Sequence, residues 1–174
     1  MSRDIMAVPD AEALCDLLCG QIRPTVSQNT VMIGVHTGGA WIASKLHQSL
    51  GLSTPLGTLD ISFYRDDFGL VGLNPQVKKS VIPFDVEGAE IILVDDVLFT
   101  GRTVRAAMNE IFDYGRPKRI DLAVLIDRGG RELPVAARFV GETLALPVHQ
   151  SLNLVQSQDG KLAFQLVEKK RTQG

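Results

Sequence analysis

The stretch IILVDDVLFTGRT, residues 91–103, decides the fold. Its first four residues are apolar with no polar alternate, which is how a strand buried on both faces reads. Asp95 and Asp96 follow at the strand's carboxyl end, and Thr100, Gly101, Arg102 and Thr103 stand where a helix begins. That helix is expected from about Arg102 to Tyr114, ended by Gly115 and Pro117. A buried strand that delivers polar residues to the head of a helix is the repeating unit of an open α/β sheet, and such sheets take ligands at the carboxyl ends of their strands.

The same unit recurs on both sides. Upstream, VMIGV (31–35) is a continuous apolar run of strand length, followed by His36, Thr37, Gly38 and Gly39 and a helical stretch from Ala40 to Leu50 that Gly51 stops. A further strand is expected over Leu56–Ile61, and downstream DLAVLID (121–127) and a short run at Arg138–Val140 supply two more. Residues 10–23 place Ala13, Leu14, Leu17, Leu18 and Ile22 on one helical face, with Pro24 ending the helix. The expected fold class is therefore α/β, a mainly parallel sheet flanked by helices, in one domain over residues 1–174.

Two segments depart from the alternation. Residues 62–83, SFYRDDFGLVGLNPQVKKSVIP, are polar at their centre and rich in Gly and Pro, and are expected to form a flap over a site. Residues 151–168 carry alternating runs around an Asp159–Gly160 turn signal, which predicts a C-terminal hairpin.

Composition bounds the function. At 174 residues and 18.9 kDa, 45% hydrophobic and 22% charged with a mean hydropathy of +0.10, the chain has the apolar content that global disorder lacks. A net charge of -2 excludes the strong overall positive field of a dedicated nucleic-acid binder. A local basic face drawn from Arg23, Arg116, Lys118, Arg119, Arg131 and Arg138 remains compatible with it. Cys15 and Cys19 lie in an amphipathic stretch without a CxxC or a neighbouring His, so they read as reduced core residues. The N-terminus MSRDIMAVPD lacks the apolar core of a signal peptide, and no run has membrane-spanning length, so a cytoplasmic protein with no membrane partner is expected.

The chemistry gathers at 95–103. Backbone N–H groups, hydroxyls and the positive end of a helix make Val97, Leu98, Phe99, Thr100, Gly101, Arg102 and Thr103 a phosphate cradle, while Asp95 and Asp96 can accept bonds from a pair of sugar hydroxyls. Capping alone would also account for any single Asp or Thr, but not for the ordered set. A Walker A loop fails, because Ala40 and Trp41 stand where Lys and Ser/Thr are required after Gly34 and Gly39.

This segment resembles the phosphoribosyl pyrophosphate motif of the type I phosphoribosyltransferases. LDISFYRDD (59–67), VDDVLFTGRTVRAAMNEIFDYGRP (94–117) and LAVLIDRGGRELP (122–134) narrow the resemblance to the pyrimidine operon attenuator proteins that are also uracil phosphoribosyltransferases. The resemblance implies transfer of a phosphoribosyl group from phosphoribosyl pyrophosphate to uracil, giving UMP and pyrophosphate with Mg²⁺. It further implies a possible RNA leader as partner and a homodimer or higher homo-oligomer. Asp95 and Asp96 would orient the ribose, and Arg65 would complete a pyrophosphate clamp when the flap closes. Thr37, Gly38 and Gly39 would form the pyrophosphate loop, and Asp127 and Arg128 would lie near the base. No metal ligand among the side chains is implied with certainty, since Mg²⁺ is held mainly by substrate oxygens. Three positions depart from the pattern the resemblance implies: His36 and Gly38 stand where the pyrophosphate loop would carry a lysine and an arginine, and Gly130 stands where a histidine is common. A non-catalytic nucleotide-sensing RNA-binding regulator, or a type I transferase for another base, are the alternative readings.

Overall fold

A computed structural model describes residues 6–61 and 79–170. Five strands, β1 (Thr30–Val35), β2 (Gly57–Leu59), β3 (Glu90–Leu98), β4 (Arg119–Asp127) and β5 (Phe139–Thr143), form one sheet in the order β2-β1-β3-β4-β5, and all neighbours pair parallel. Helices α1 (Ala11–Ile22), α2 (Gly38–Leu50) and α3 (Arg102–Tyr114) cover it, and β6 (Gln150–Gln156) and β7 (Leu162–Glu168) form the antiparallel hairpin expected at the C-terminus.

Strand alternation explains the layering. Val31, Ile33 and Val35 of β1, Ile91 and Leu93 of β3, and Leu122 and Val124 of β4 point into one core with Val104, Ala107 and Ile111 of α3. The intervening Met32, Ile92, Val94, Ala123 and Leu125 point the other way, into a core shared with α1, α2 and the hairpin residues Leu152, Leu154, Leu162 and Phe164. A sheet apolar on both faces has to be covered on both, so the continuous apolar runs and the three-layer arrangement are one fact.

Topology then positions the site. From β1 the chain crosses through α2 to β2 on one side, and it later returns to β3 on the other side of β1. At the carboxyl ends of β1 and β3 the chain therefore departs to opposite faces, into α2 and α3, and the crevice between them is where open sheets bind ligands.

Three expectations are corrected. The buried face of α1 is Ala11, Cys15, Leu18, Cys19 and Ile22, whereas Leu17 is 49% exposed, because both the sheet and the hairpin press on the cysteine side. Asp10 caps the helix, accepting a bond from Ala13 N at 3.2 Å. The second strand is shorter than Leu56–Ile61, and β3 continues two residues beyond Asp96. The expected flap lies outside the described residues except for 79–83, where Val81 forms an antiparallel bridge with Thr58. Tyr64, Arg65, Asp66, Asp67 and Lys78 are among the residues outside.

Cys15 and Cys19 are buried and free, as expected. Burial, reinforced by the nearby Glu12 carboxylate, pushes the Cys15 thiol up to about 12. Because the folded value lies above that of the unfolded thiol, the neutral form favours folding below about pH 8.5, and this contribution is lost as pH rises toward 12. Both thiols should resist alkylation at pH 8 in the folded protein and react in denaturant. The fall in urea stability between pH 8.5 and 10.5 should be shallower in Cys15→Ala than in the wild type.

Candidate functional site

Asp95 and Asp96 lie within the last four residues of β3, and each carboxylate is held by the N–H that follows it. Asp96 N donates to Asp95 Oδ1 and Val97 N to Asp96 Oδ1, both at 2.8 Å. Asp95 is buried at 4% exposure and Asp96 is half-buried. The second oxygen of Asp96 faces the head of α2, where a methyl group on Gly38 would approach it to 2.6 Å. On Gly39 the same methyl would overlap the Val94 carbonyl oxygen and come within 3.0 Å of Asp95 Cα, so only glycine lets α2 start directly against β3. Thr37 sits at the N-cap position of α2 without a side-chain capping bond, and the His36–Thr37 peptide is cis.

The segment from Val97 to Thr103, the end of β3, the three-residue loop 99–101 and the start of α3, is braced from behind by residues 131–133. Arg131 donates to the Phe99 carbonyl at 2.8 Å, to the Val135 carbonyl at 2.8 Å and to Asp127 Oδ2 at 2.6 Å. The Thr100 carbonyl accepts from both Glu132 N at 2.9 Å and Leu133 N at 3.0 Å. In a trans peptide the carbonyl and the following N–H point in opposite directions. Drawing the Phe99 and Thr100 carbonyls back onto 131–133 therefore turns the N–H groups of Thr100 and Gly101 away from that segment, toward the cavity those residues line. Gly101 is the N-cap of α3, Thr100 Oγ1 accepts from Arg102 N at 3.2 Å, and Arg102 pairs with Glu132 at 3.3 Å. The result is a cavity of about 320 Å³ lined by Asp95, Asp96, Val97, Leu98, Phe99, Thr100, Gly101, Thr103, Val104 and Lys169. Carboxylates at one side and a helix N-terminus with outward N–H groups at the other suit a ligand with vicinal hydroxyls and a phosphate.

The third part follows β4. Burial works against ionisation of Asp127, but the Arg131 guanidinium and the Gly129 N–H prevail and hold its carboxyl below the usual range. Its contribution to folding is thus present at neutral pH and lost only as pH falls below about 4, through the depressed folded value. Arg128 turns elsewhere: its guanidinium lies 4.0 Å over the Phe99 ring and donates to the carbonyls of Gln150 at 3.1 Å and Pro147 at 3.5 Å. Burial pulls its pKa down. Gly130 has φ 75°, and a Cβ there would overlap the Phe99 ring.

Of the expected residues, Asp95, Asp96, the loop residues 97–101 and Thr103 share one cavity. Gly38 and Gly39 abut its acids without lining it, and Thr37 stands beside them. Arg102, Asp127 and Arg128 are turned to structural partners, Asp127 to Arg131 and Arg128 to the Phe99 ring. Trp41 packs against the α1–α2 core. Arg131, Glu132 and Lys169 enter the site's construction without having been foreseen. Arg131 and Glu132 carried only an ambiguous signal, adjacent opposite charges after two glycines, and Lys169 carried none.

Comparison with known proteins shows the family and the fold. The family described as phosphoribosyl transferase domain matches residues 2–148. Bifunctional protein PyrR of Pseudomonas fluorescens is 46% identical over 153 residues, covering 86% of this chain and 91% of its own, and a second protein of that name from the same species is 54% identical over 122 residues, covering 70% and 73%. A hypoxanthine-guanine phosphoribosyltransferase of Bacillus anthracis shares the fold with a TM-score of 0.66 at 20% identity, covering 94% of this chain and 99% of its own.

Placing at position 130 the histidine that the resemblance leads one to expect should be costly here. Gly130→His combines an unfavourable left-handed backbone with overlap on Phe99, and a loss of about 1–3 kcal/mol is expected by urea denaturation. Adding Phe99→Ala should recover part of that loss beyond additivity. Strict additivity would remove Phe99 as the obstructing group.

Proposed function

The chain belongs to the phosphoribosyl transferase domain family, among the relatives of the bifunctional PyrR proteins, and from that premise we propose that it transfers the phosphoribosyl group of phosphoribosyl pyrophosphate to uracil, giving UMP and pyrophosphate. The observation that carries the reading is the joint cavity in which adjacent acids face a braced helix N-terminus. The Thr100–Thr103 segment receives the 5′-phosphate through its N–H groups and hydroxyls. Asp95 and Asp96 accept the ribose hydroxyls and offset charge as C1 becomes oxocarbenium-like, a preorganised electrostatic role that requires neither to act as a base. Uracil attacks C1 through N1 as the C1–O bond to pyrophosphate breaks and the N1 proton passes to the departing diphosphate, beside the head of α2, whose first N–H groups at Gly38 and Gly39 suit an anion. Arg65 is assigned to the clamp from sequence.

Among the described residues no three His, Cys, Asp or Glu gather to hold a metal. The donor set nonetheless fits Mg²⁺, which keeps waters and needs only one or two carboxylates beside substrate phosphates. Asp96 is the carboxylate that would help hold such an ion, which would supply charge neutralisation for the leaving diphosphate.

A second reading, RNA binding controlled by nucleotide, follows from the resemblance to the pyrimidine operon attenuator proteins and is compatible with relatives named bifunctional. The expected basic face is largely neutralised, since Arg119 and Arg138 share Asp121, Lys118 pairs with Glu90, and Arg131 pairs with Asp127. RNA contact through this edge would have to displace Glu90 and Asp121 from their cations. A homo-oligomer, which would cover exposed apolar side chains such as Phe112 and Leu17, belongs to the same reading.

Pyrophosphate release should be seen with uracil, and much less with orotate, guanine, hypoxanthine or adenine, when each is supplied with phosphoribosyl pyrophosphate and Mg²⁺. The double variant Asp95→Asn, Asp96→Asn should lose about 100-fold or more in turnover while melting near the wild type. Retained turnover would end the assignment of the acid pair. For RNA, retention of a structured leader should rise with UMP, fall steeply with salt, and vanish when Arg116, Lys118 and Arg119 become Ser, with transfer unchanged. Absence of UMP-dependent retention at low salt leaves the enzyme alone.

A further inference from the structure

We propose that Lys169, carried by the C-terminal hairpin, is the side-chain cation that receives the substrate's 5′-phosphate; the proposal rests on the phosphoribosyl-transfer reading and extends it to a residue outside the family-matched segment, which ends at 148. Among the described residues Lys169 is the only cation lining the cavity that holds Asp95, Asp96 and the loop to Val104. The nearby arginines are engaged elsewhere: Arg102 with Glu132, Arg131 with Asp127 and two carbonyls, Arg128 with Phe99 and two carbonyls. The head of α2 adds no Lys or Arg, since its residues are His36, Thr37, Gly38 and Gly39. A ligand carrying phosphates would enter a cavity already bearing two carboxylates, and the attraction of one lysine there is a large fraction of the favourable charge the protein offers.

The placement of Lys169 is built rather than incidental. It follows the end of β7, and its N–H donates to the His149 carbonyl at 2.7 Å, extending the hairpin ladder. The segment before β6 is tied to the loop, because Arg128 grips the carbonyls of Pro147 and Gln150 while stacking on Phe99. Phe99 itself lines the cavity. The lysine backbone is thus anchored to the same loop that cradles phosphate, while its side chain is exposed and makes no ion pair or hydrogen bond among the described residues. The 5′-phosphate is the group it meets, not the diphosphate. Lys169 shares its cavity with Gly101, Thr103 and Val104 at the head of α3, whereas Thr37, Gly38 and Gly39, the pyrophosphate side, do not line it.

Calorimetric binding of ribose 5-phosphate, UMP and inorganic pyrophosphate to the full-length wild type, Lys169→Gln and Lys169→Arg tests this without turnover. Lys169→Gln should weaken ribose 5-phosphate and UMP by about tenfold, the loss expected for one charge-assisted bond, and leave pyrophosphate unchanged. Lys169→Arg should retain most of the affinity, and neither variant should shift the melting temperature, since the side chain is exposed. In turnover, KM for phosphoribosyl pyrophosphate should rise with KM for uracil unmoved. Equal ribose 5-phosphate binding in Lys169→Gln and wild type overturns the proposal, as does a loss confined to pyrophosphate or to uracil. Wild-type protein that binds ribose 5-phosphate but does not convert uracil refutes the choice of base and leaves Lys169 standing. Failure of the wild type to bind ribose 5-phosphate refutes both.

Discussion

The site depends on one side chain, Arg131, that need never touch a ligand. Its guanidinium spans the Phe99 carbonyl, the Val135 carbonyl and Asp127, and so fixes the β3–α3 loop to the segment that leaves β4. Hydrogen bonds to a charged donor contribute roughly 1.5–3 kcal/mol each when well formed, enough to choose between peptide orientations in a short loop. With the Thr100 carbonyl drawn onto Glu132 N and Leu133 N, the loop has its acceptors on the outside and its donors toward the cavity. The anion cradle is made by removing the carbonyls from it. Asp127, held ionised by Arg131 and Gly129 N, is a counter-charge in that brace, which accounts for an acid at the end of β4 that does not face the cavity.

Contacts account for glycine at two of the positions where the resemblance leads one to expect a side chain. At position 38 the side chain would press on the free side of the Asp96 carboxylate, and glycine allows the head of α2 to close on it. At position 130 glycine allows Phe99 to lie flat against the backbone, with Arg128 over its ring. Phe99 then serves as a shared surface between the phosphate loop and the carbonyls of 147–150.

Much of the architecture was legible because it follows from solvation. Strands with no polar alternate must be covered on both faces, so residues 31–35, 91–94 and 121–127 implied parallel strands and flanking helices, and α3 begins and ends where Arg102 and Gly115 predicted. The acid pair and the threonine-rich turn were legible because their order along one strand–helix unit places them in one crevice. Helix α1 was misphased: Leu17 and Ala13 have the spacing of a buried face, but the smaller Cys15 and Cys19 fit between the sheet and the hairpin. Amphipathic spacing specifies a stripe and leaves its rotation to tertiary contacts.

Arg131 and Lys169 were illegible for different reasons. Arg131 acts on backbone carbonyls, which every residue has, so no pattern in the sequence names its partners; its charge alone grouped it with the surface cations. Lys169 reaches the cavity only through the register of a hairpin whose first strand is tied by Arg128 to a loop some fifty residues upstream. A one-residue slip of that hairpin would move alternate side chains to the opposite face and strip Leu152, Leu154, Leu162 and Phe164 from the core they fill. The apolar burial that holds the hairpin in register is therefore the same constraint that brings its terminal lysine over the phosphate loop, and packing on one face of the sheet sets the electrostatics at its edge.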